Sequence, residues 1–172
     1  MMRYIPLKFI KNDKLEKAAK SLKYEINMFR LTTKALYYYS NNFDPEEKIK
    51  NQFLLNVLLE SFGIHSYNLY KFFYQGEREK KNNRFINRKP SDLIAEDFNI
   101  NRKYFKNNRV PKRNLKIIET KRNKQIAHLT YNRIYRNKRT KPWHFGIISK
   151  YMEQTINAFI DSLPANYAKF FY

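Results

Sequence analysis

The sequence predicts an all-α fold, a helical bundle of about four principal helices with a basic insertion after the second. Three observations carry that prediction. Apolar residues recur at spacings of three and four through most of the chain, no alternating run reads as a strand or hairpin, and only 3 glycines and 6 prolines punctuate 172 residues. A hydrophobic share of 42%, with 17% aromatic, supplies a core for one domain over residues 1–172. It is also too apolar for a disordered basic tail, which cannot bury enough surface to offset its chain entropy.

The elements follow in order. Asp13 is placed to cap a first helix from about Lys14 to Tyr39, with Leu15, Ala18, Ala19, Leu22, Ile26, Phe29 and Ala35 along one side. Asn41, Asn42 and Asp44-Pro45 break it, and Pro45 suits the first position of a second helix running from about Glu46 to Tyr74, before Gly76. From Phe53 to Phe73 this helix is apolar over most of its circumference, which predicts a central, largely buried element. Ser91-Asp92 followed by Leu93, Ile94 and Phe98 suggests a short helix. Pro111 precedes a third principal helix from about Lys112 to Leu129, and Pro142 opens a fourth from about Trp143 to Leu163, closed by Pro164.

Charge divides the chain unevenly. Lys and Arg number 35 against 15 acids, a formal net of +20. Residues 78–141 hold 21 of those basic residues and 5 acids, a net of +16. A general drift of composition toward lysine and asparagine would not concentrate charge in this way. The middle and later chain therefore reads as an anion-facing surface, the alternative being a solvated lysine-rich loop. No stretch pairs a strong apolar face with a basic one as an interfacial helix does, so nucleic acid is favoured over membrane.

Other classes are excluded by what the sequence lacks. Without cysteine there is no disulfide framework, thiolate zinc site or cysteine nucleophile. No glycine-rich loop is present to cradle a nucleotide phosphate. The three histidines, His65, His128 and His144, stand on separate segments without HxxxH or HExxH spacing, so neither a metal nor another cofactor is expected. The N-terminus has no secretory signal pattern, and the densest apolar stretch falls far short of the ~20 residues that span a bilayer. A cytoplasmic location without membrane attachment is the expectation.

The chemically informative stretch is Glu119-Thr-Lys-Arg122-Asn123-Lys-Gln-Ile-Ala-His128. Six helical residues advance by about 600°, which sets Arg122 and His128 about 120° apart in azimuth and ~9 Å apart in rise. A long guanidinium or a symmetric second copy could bring the two groups together. The plainer reading is a surface arginine and a C-terminal histidine favoured by the helix dipole. In the second helix, His65 reads most simply as a hydrogen-bonded core histidine. Asn68 can share its face, and Glu60 lies five residues before it; these three are candidate support for a site.

Arg122-Asn123-x4-His128 resembles the Rx4–6H signature of the HEPN superfamily, including its preference for a polar residue directly after the arginine. Arg-Asn-Lys-Gln-Ile-Ala-His is similar to the form found in small bacterial HEPN proteins of abortive-infection and toxin type. So are Leu59-Glu60-Ser61-Phe62-x2-His65-x2-Asn68-Leu69-x2-Phe72-Phe73 and Ser91-Asp92-Leu93-Ile94-Ala95-Glu96-Asp97-Phe98, which extends the resemblance over about residues 45–165. The chain departs from one toxin group, controlled by nucleotidyltransferase antitoxins, in having Thr130 where those proteins have tyrosine. It also has Tyr67 where relatives often carry a basic residue.

The resemblance implies a helical bundle that forms a homodimer through its second and third helices, joining two Arg-polar-His sets across an RNA-binding cleft. It further implies a metal-independent endoribonuclease of toxin or phage-defence type, with an antitoxin or other defence-system protein as a further partner. In that reading His128 is general base or acid, Arg122 stabilises charge on the phosphoryl oxygens, and Asn123 orients phosphate or His128. Attack by the RNA 2′-OH would leave 2′,3′-cyclic phosphate ends. Arg109, Lys112, Arg113, Lys116, Lys121 and Lys124 before and within the motif, with Arg133, Arg136 and Arg139 after it, are the expected phosphate contacts. The alternative is a catalytically silent HEPN-like module that binds RNA or protein. A helical DNA-binding regulator is less attractive, because no compact helix–turn–helix spacing occurs.

Overall fold

A computed structural model describes residues 12–42, 45–74, 80–81, 84–85, 91–98, 100, 110–121 and 144–172. The fold is an all-α bundle. Its elements are α1 (Asn12–Asn41), α2 (Lys48–Tyr74), a 3-10 turn (Ala95–Phe98), α3 (Lys112–Lys121), α4 (Phe145–Asp161) and the short α5 (Ala165–Ala168). Between α2 and the 3-10 turn, Lys80 pairs with Phe85 and Lys81 with Arg84 in an antiparallel ladder too short to form a sheet layer.

Most of the apolar stripe of α1 folds as its spacing requires: Leu15, Ala19, Leu22, Ile26 and Phe29 are buried, while Ala18 and Ala35 are half-buried and Leu36 takes the buried position beyond Phe29. Thr32 sits in the same stripe because its hydroxyl donates back to the Met28 carbonyl at 2.7 Å, so the polar atom is satisfied within the helix. Along α1 toward its C-terminus, contacts move back along α2: Glu25 meets His65, and Phe29 stacks on Phe62 with centroids 5.5 Å apart. The two helices are therefore antiparallel. Helix α4 also runs against α1, with Asn157 and Glu153 at Arg30, Ser149 at Thr33 and Phe145 at Tyr37. Gly146 permits the last approach, since a Cβ there would stand 2.7 Å from the Tyr37 hydroxyl.

Phe159 lies at the centre of the core. Its ring is fully buried and meets Phe72, Phe73, Phe98 and Phe171 edge-on, at centroid distances of 5.3, 5.4, 5.8 and 6.1 Å. The 3-10 turn enters this cluster through Phe98, which also meets Tyr167 of α5. Asp97 secures the turn by accepting a hydrogen bond from the Ile94 N–H at 3.0 Å. At the far end of α2 the Tyr74 hydroxyl pairs with Thr155 Oγ1 at 2.5 Å and accepts from the Val110 N–H, which ties α2, α4 and the approach to α3 together.

Several boundaries differ from the sequence expectation. Helix α1 begins at Asn12, so Asp13 lies in its first turn and not ahead of it, where its charge still complements the positive end of the helix dipole. Pro45 does not open α2. Residues 45–47 form a bend and turn, and the first α-helical hydrogen bond runs from Asn51 N–H to the Glu47 carbonyl at 2.9 Å. Helix α4 starts at Phe145 with His144 as N-cap; the cap uses the His144 backbone carbonyl, not the ring. The portion of the expected third helix from 122 to 129 lies outside the described residues.

The largest departure concerns α2. It buries Phe62, His65, Ser66, Leu69, Phe72 and Phe73, yet its other side leaves Ile49 89%, Phe53 65%, Val57 47% and Ile64 43% exposed. Apolar residues around the whole circumference do not make the helix central, because among the described residues its neighbours α1, α3 and α4 cover one side only.

Core and surface positions should respond very differently. Phe159→Ala is expected to cost about 3–5 kcal/mol of stability, the usual range for deleting a buried phenylalanine. Leu31→Ala, at an α1 position 60% exposed, should stay within about 0.5 kcal/mol. Urea unfolding of both variants measures the contrast.

Candidate functional site

Two features of the described structure bear on the expected site. The first is a polar cluster between α1 and α2. His65 Nδ1 and Glu25 Oε2 are 2.7 Å apart, and Asn68 Nδ2 donates to the same carboxylate oxygen at 3.1 Å. An ionised carboxylate only accepts hydrogen bonds, so Nδ1 carries the proton and Nε2 is left as the acceptor whenever the ring is neutral. The ring is nearly buried, and Tyr24 meets it edge-on with centroids 6.0 Å apart. Local sequence explains the convergence. His65 and Asn68 are three residues apart on α2 and so share a side, while Glu25 flanks the buried stripe of Leu22, Ile26 and Phe29 on α1.

A cavity of about 600 Å³ opens beside this cluster, lined by Lys20, Tyr24 and Glu25 of α1, Asn68 and Phe72 of α2, and Leu93. It combines a cation, a carboxylate, an amide and an aromatic ring over an apolar floor. Glu60, grouped with His65 and Asn68 in the sequence reading, does not join them. It is exposed on the other side of α2, as the ~140° between positions 60 and 65 of a regular helix requires.

The second feature is the basic face of α3. Lys112, Arg113 and Lys116 are all exposed, while Leu115, Ile118 and Asn114 turn inward. Pro111 starts the helix as its fixed φ allows, its carbonyl accepting from the Asn114 and Leu115 N–H groups at 2.8 and 3.1 Å. Lys121 is the last described residue of α3. Arg122, Asn123 and His128 follow it in sequence but lie outside the described residues, as do Arg109, Lys124, Arg133, Arg136 and Arg139. Among the described residues, no three His, Asp or Glu side chains gather as a metal-ligand set, and no helix is long and apolar enough to cross a membrane.

Fold and site together define an all-α helical bundle with a basic helix docked on its second helix and a histidine–carboxylate pair between its first two. Comparison with protein-family models, with curated proteins and with solved structures found no match to the chain.

Glu25 is the one participant that sequence reading missed. Its partner lies 40 residues away, and only the antiparallel register of α1 and α2 brings them together. Glu25→Ala would strand the His65 ring N–H at a buried position, which is expected to cost about 1–3 kcal/mol. In a double-mutant cycle that loss should shrink by at least half once His65 is replaced by leucine. Equal losses in both backgrounds would show that the pair contributes no coupling.

Proposed function

We propose that the protein is a metal-independent endoribonuclease of toxin or phage-defence type, acting in the cytoplasm as a homodimer. The observation that carries this reading is Arg122-Asn123-x4-His128 and its likeness to the HEPN signature, which follows in sequence on the described residues of the basic helix α3. Supporting it are the all-helical fold and the exposed Lys112, Arg113 and Lys116 on the segment leading into the motif. An antitoxin or another defence-system protein would restrain the activity.

The chemistry asks little of the protein beyond these groups, because RNA carries its own nucleophile. His128 takes the 2′-OH proton or delivers one to the departing 5′ oxygen, the acid–base task that histidine performs most often. Arg122 hydrogen-bonds the non-bridging oxygens as charge grows on them. Asn123 holds the phosphate or the imidazole in line. The adjoining cations supply affinity through phosphate contacts, which carry no sequence information.

Cleavage of mixed RNA by the purified chain is expected to persist in EDTA and to leave 2′,3′-cyclic phosphate ends. His128→Ala should lower the rate by about 10²–10⁴-fold, the usual contribution of a general acid–base group, while RNA binding is largely kept. Binding without cleavage by the wild type would instead identify the catalytically silent module.

Affinity should also fall steeply with salt. Several phosphate contacts imply a loss of about 10³-fold or more between 50 and 200 mM salt, and a flat titration would overturn the phosphate-binding surface. Arg133→Glu combined with Arg136→Glu should weaken binding with the fold intact, judged by unchanged helical circular dichroism.

A further inference from the structure

The cavity between α1 and α2 presents a polar wall whose hydrogen bonds can be counted. Glu25 Oε2 accepts from His65 Nδ1 and from Asn68 Nδ2. The carboxylate thereby fixes the Asn68 amide, since only its NH2 side can face an acceptor. Glu25 Oε1 and Asn68 Oδ1 are left open, with no hydrogen-bond partner among the described residues. One donor remains beside them, the second hydrogen of Asn68 Nδ2. His65 does not line the cavity; it is a positioning residue that holds the carboxylate in place.

Two acceptors and one donor in an otherwise apolar cavity select a narrow ligand chemistry. Leu22, Leu69 and Phe72 of the lining belong to the core, and the exposed Tyr24 ring stands beside them, so a flat aromatic body fits. The volume of about 600 Å³ lies within the ~300–1,000 Å³ usual for small-molecule sites. An amine would satisfy the two acceptors, but Lys20 in the lining and a net charge of +20 repel it. A phosphate is drawn by that charge and refused by the acceptors. Both demands are met by an anionic ligand that carries a neutral, donor-rich edge. Among the nucleobases only guanine has such an edge, with N1–H and the 2-amino group as donors and O6 as acceptor. We propose that the cavity is a binding site for a guanine nucleotide, its base edge on Glu25 and Asn68 and its phosphate at Lys20.

The other bases fail against the same wall. Adenine brings one donor group and one acceptor, and cytosine and uracil each bring one donor group and two acceptors, so an oxygen of the wall is left unmet. A base acceptor set against the Glu25 carboxylate is also repelled, which adds to the lost hydrogen bond. The recognition is the same for a free nucleotide and for one nucleotide of an RNA strand. Neither Arg122 nor His128 takes part, and the test measures binding without cleavage. This site and the ribonuclease reading can therefore fail separately.

The full chain, freed of nucleic acid, is titrated calorimetrically with GMP, IMP, AMP, CMP and UMP in about 0.15 M salt. GMP is expected to bind at least about tenfold more tightly than each of the others, including IMP, which lacks only the 2-amino group. Glu25→Gln should erase that preference: the amide oxygen can keep the His65 and Asn68 hydrogen bonds, and the amide nitrogen then replaces Oε1 with a donor. Asn68→Ala, at an exposed position, should weaken GMP about tenfold with an unchanged unfolding midpoint. Lys20→Ala should weaken GMP and leave guanosine unaffected, which places the phosphate. The trinucleotides ApGpA and ApApA separate the two sources. Tighter binding of the first than of GMP identifies an RNA strand, and weaker binding identifies the free nucleotide. No binding at millimolar GMP, equal affinity for the five nucleotides, or a guanine preference that survives Glu25→Gln and Asn68→Ala would each overturn the proposal.

Discussion

The antiparallel packing of α1 on α2 is the constraint from which the rest of the described structure follows. The Phe29–Phe62 stack sets the register, and from it Glu25 falls opposite His65. Side-chain length then fixes how close the helices stand, because the carboxylate, imidazole and amide of Glu25, His65 and Asn68 must fit between them with their hydrogen bonds made. Shifting the register by one turn would bury a carboxylate without its donors, which is far more costly than a mismatch between two apolar side chains. The polar cluster thus adds specificity to a contact whose stability comes mainly from aromatic and aliphatic burial.

Around that pair, the aromatic cluster at Phe159 explains how a chain with so much positive charge holds a compact core. The rings of Phe72, Phe73, Phe98 and Phe159 come from α2, the 3-10 turn and α4, and each edge-on contact joins elements that carry few of the cations. Most of the charge falls on other segments of the sequence. On α3 the apolar Leu115 and Ile118 face inward while Lys112, Arg113 and Lys116 remain in solvent, so the helix docks with these three cations left outside the core. At the α1–α4 contact, where Arg30 is only partly exposed, Glu153 and Asn157 both bind its guanidinium.

What could be read from the sequence depended on the range of the interaction. The stripe of α1 from Leu15 to Phe29 and the start of α3 after Pro111 are set by neighbours within a few residues, and local pattern located them. The start of α2 was displaced because Pro45 is compatible with a turn as readily as with a first helical position, and Glu46-Glu47 form that turn. The burial of α2 was overestimated for a different reason. Periodicity reports that a side of a helix is apolar, not whether another element of the same chain covers it. Glu25 escaped notice since an acid beside an apolar stripe looks like any solvated flank until the opposing helix is in place.

The same distinction bears on the proposed function. The Arg122–His128 spacing leaves the two groups on different sides of a regular helix, so one copy of the motif is poorly arranged to act on a single phosphate. Two copies would relax that constraint, because a group from one protomer can meet a group from the other.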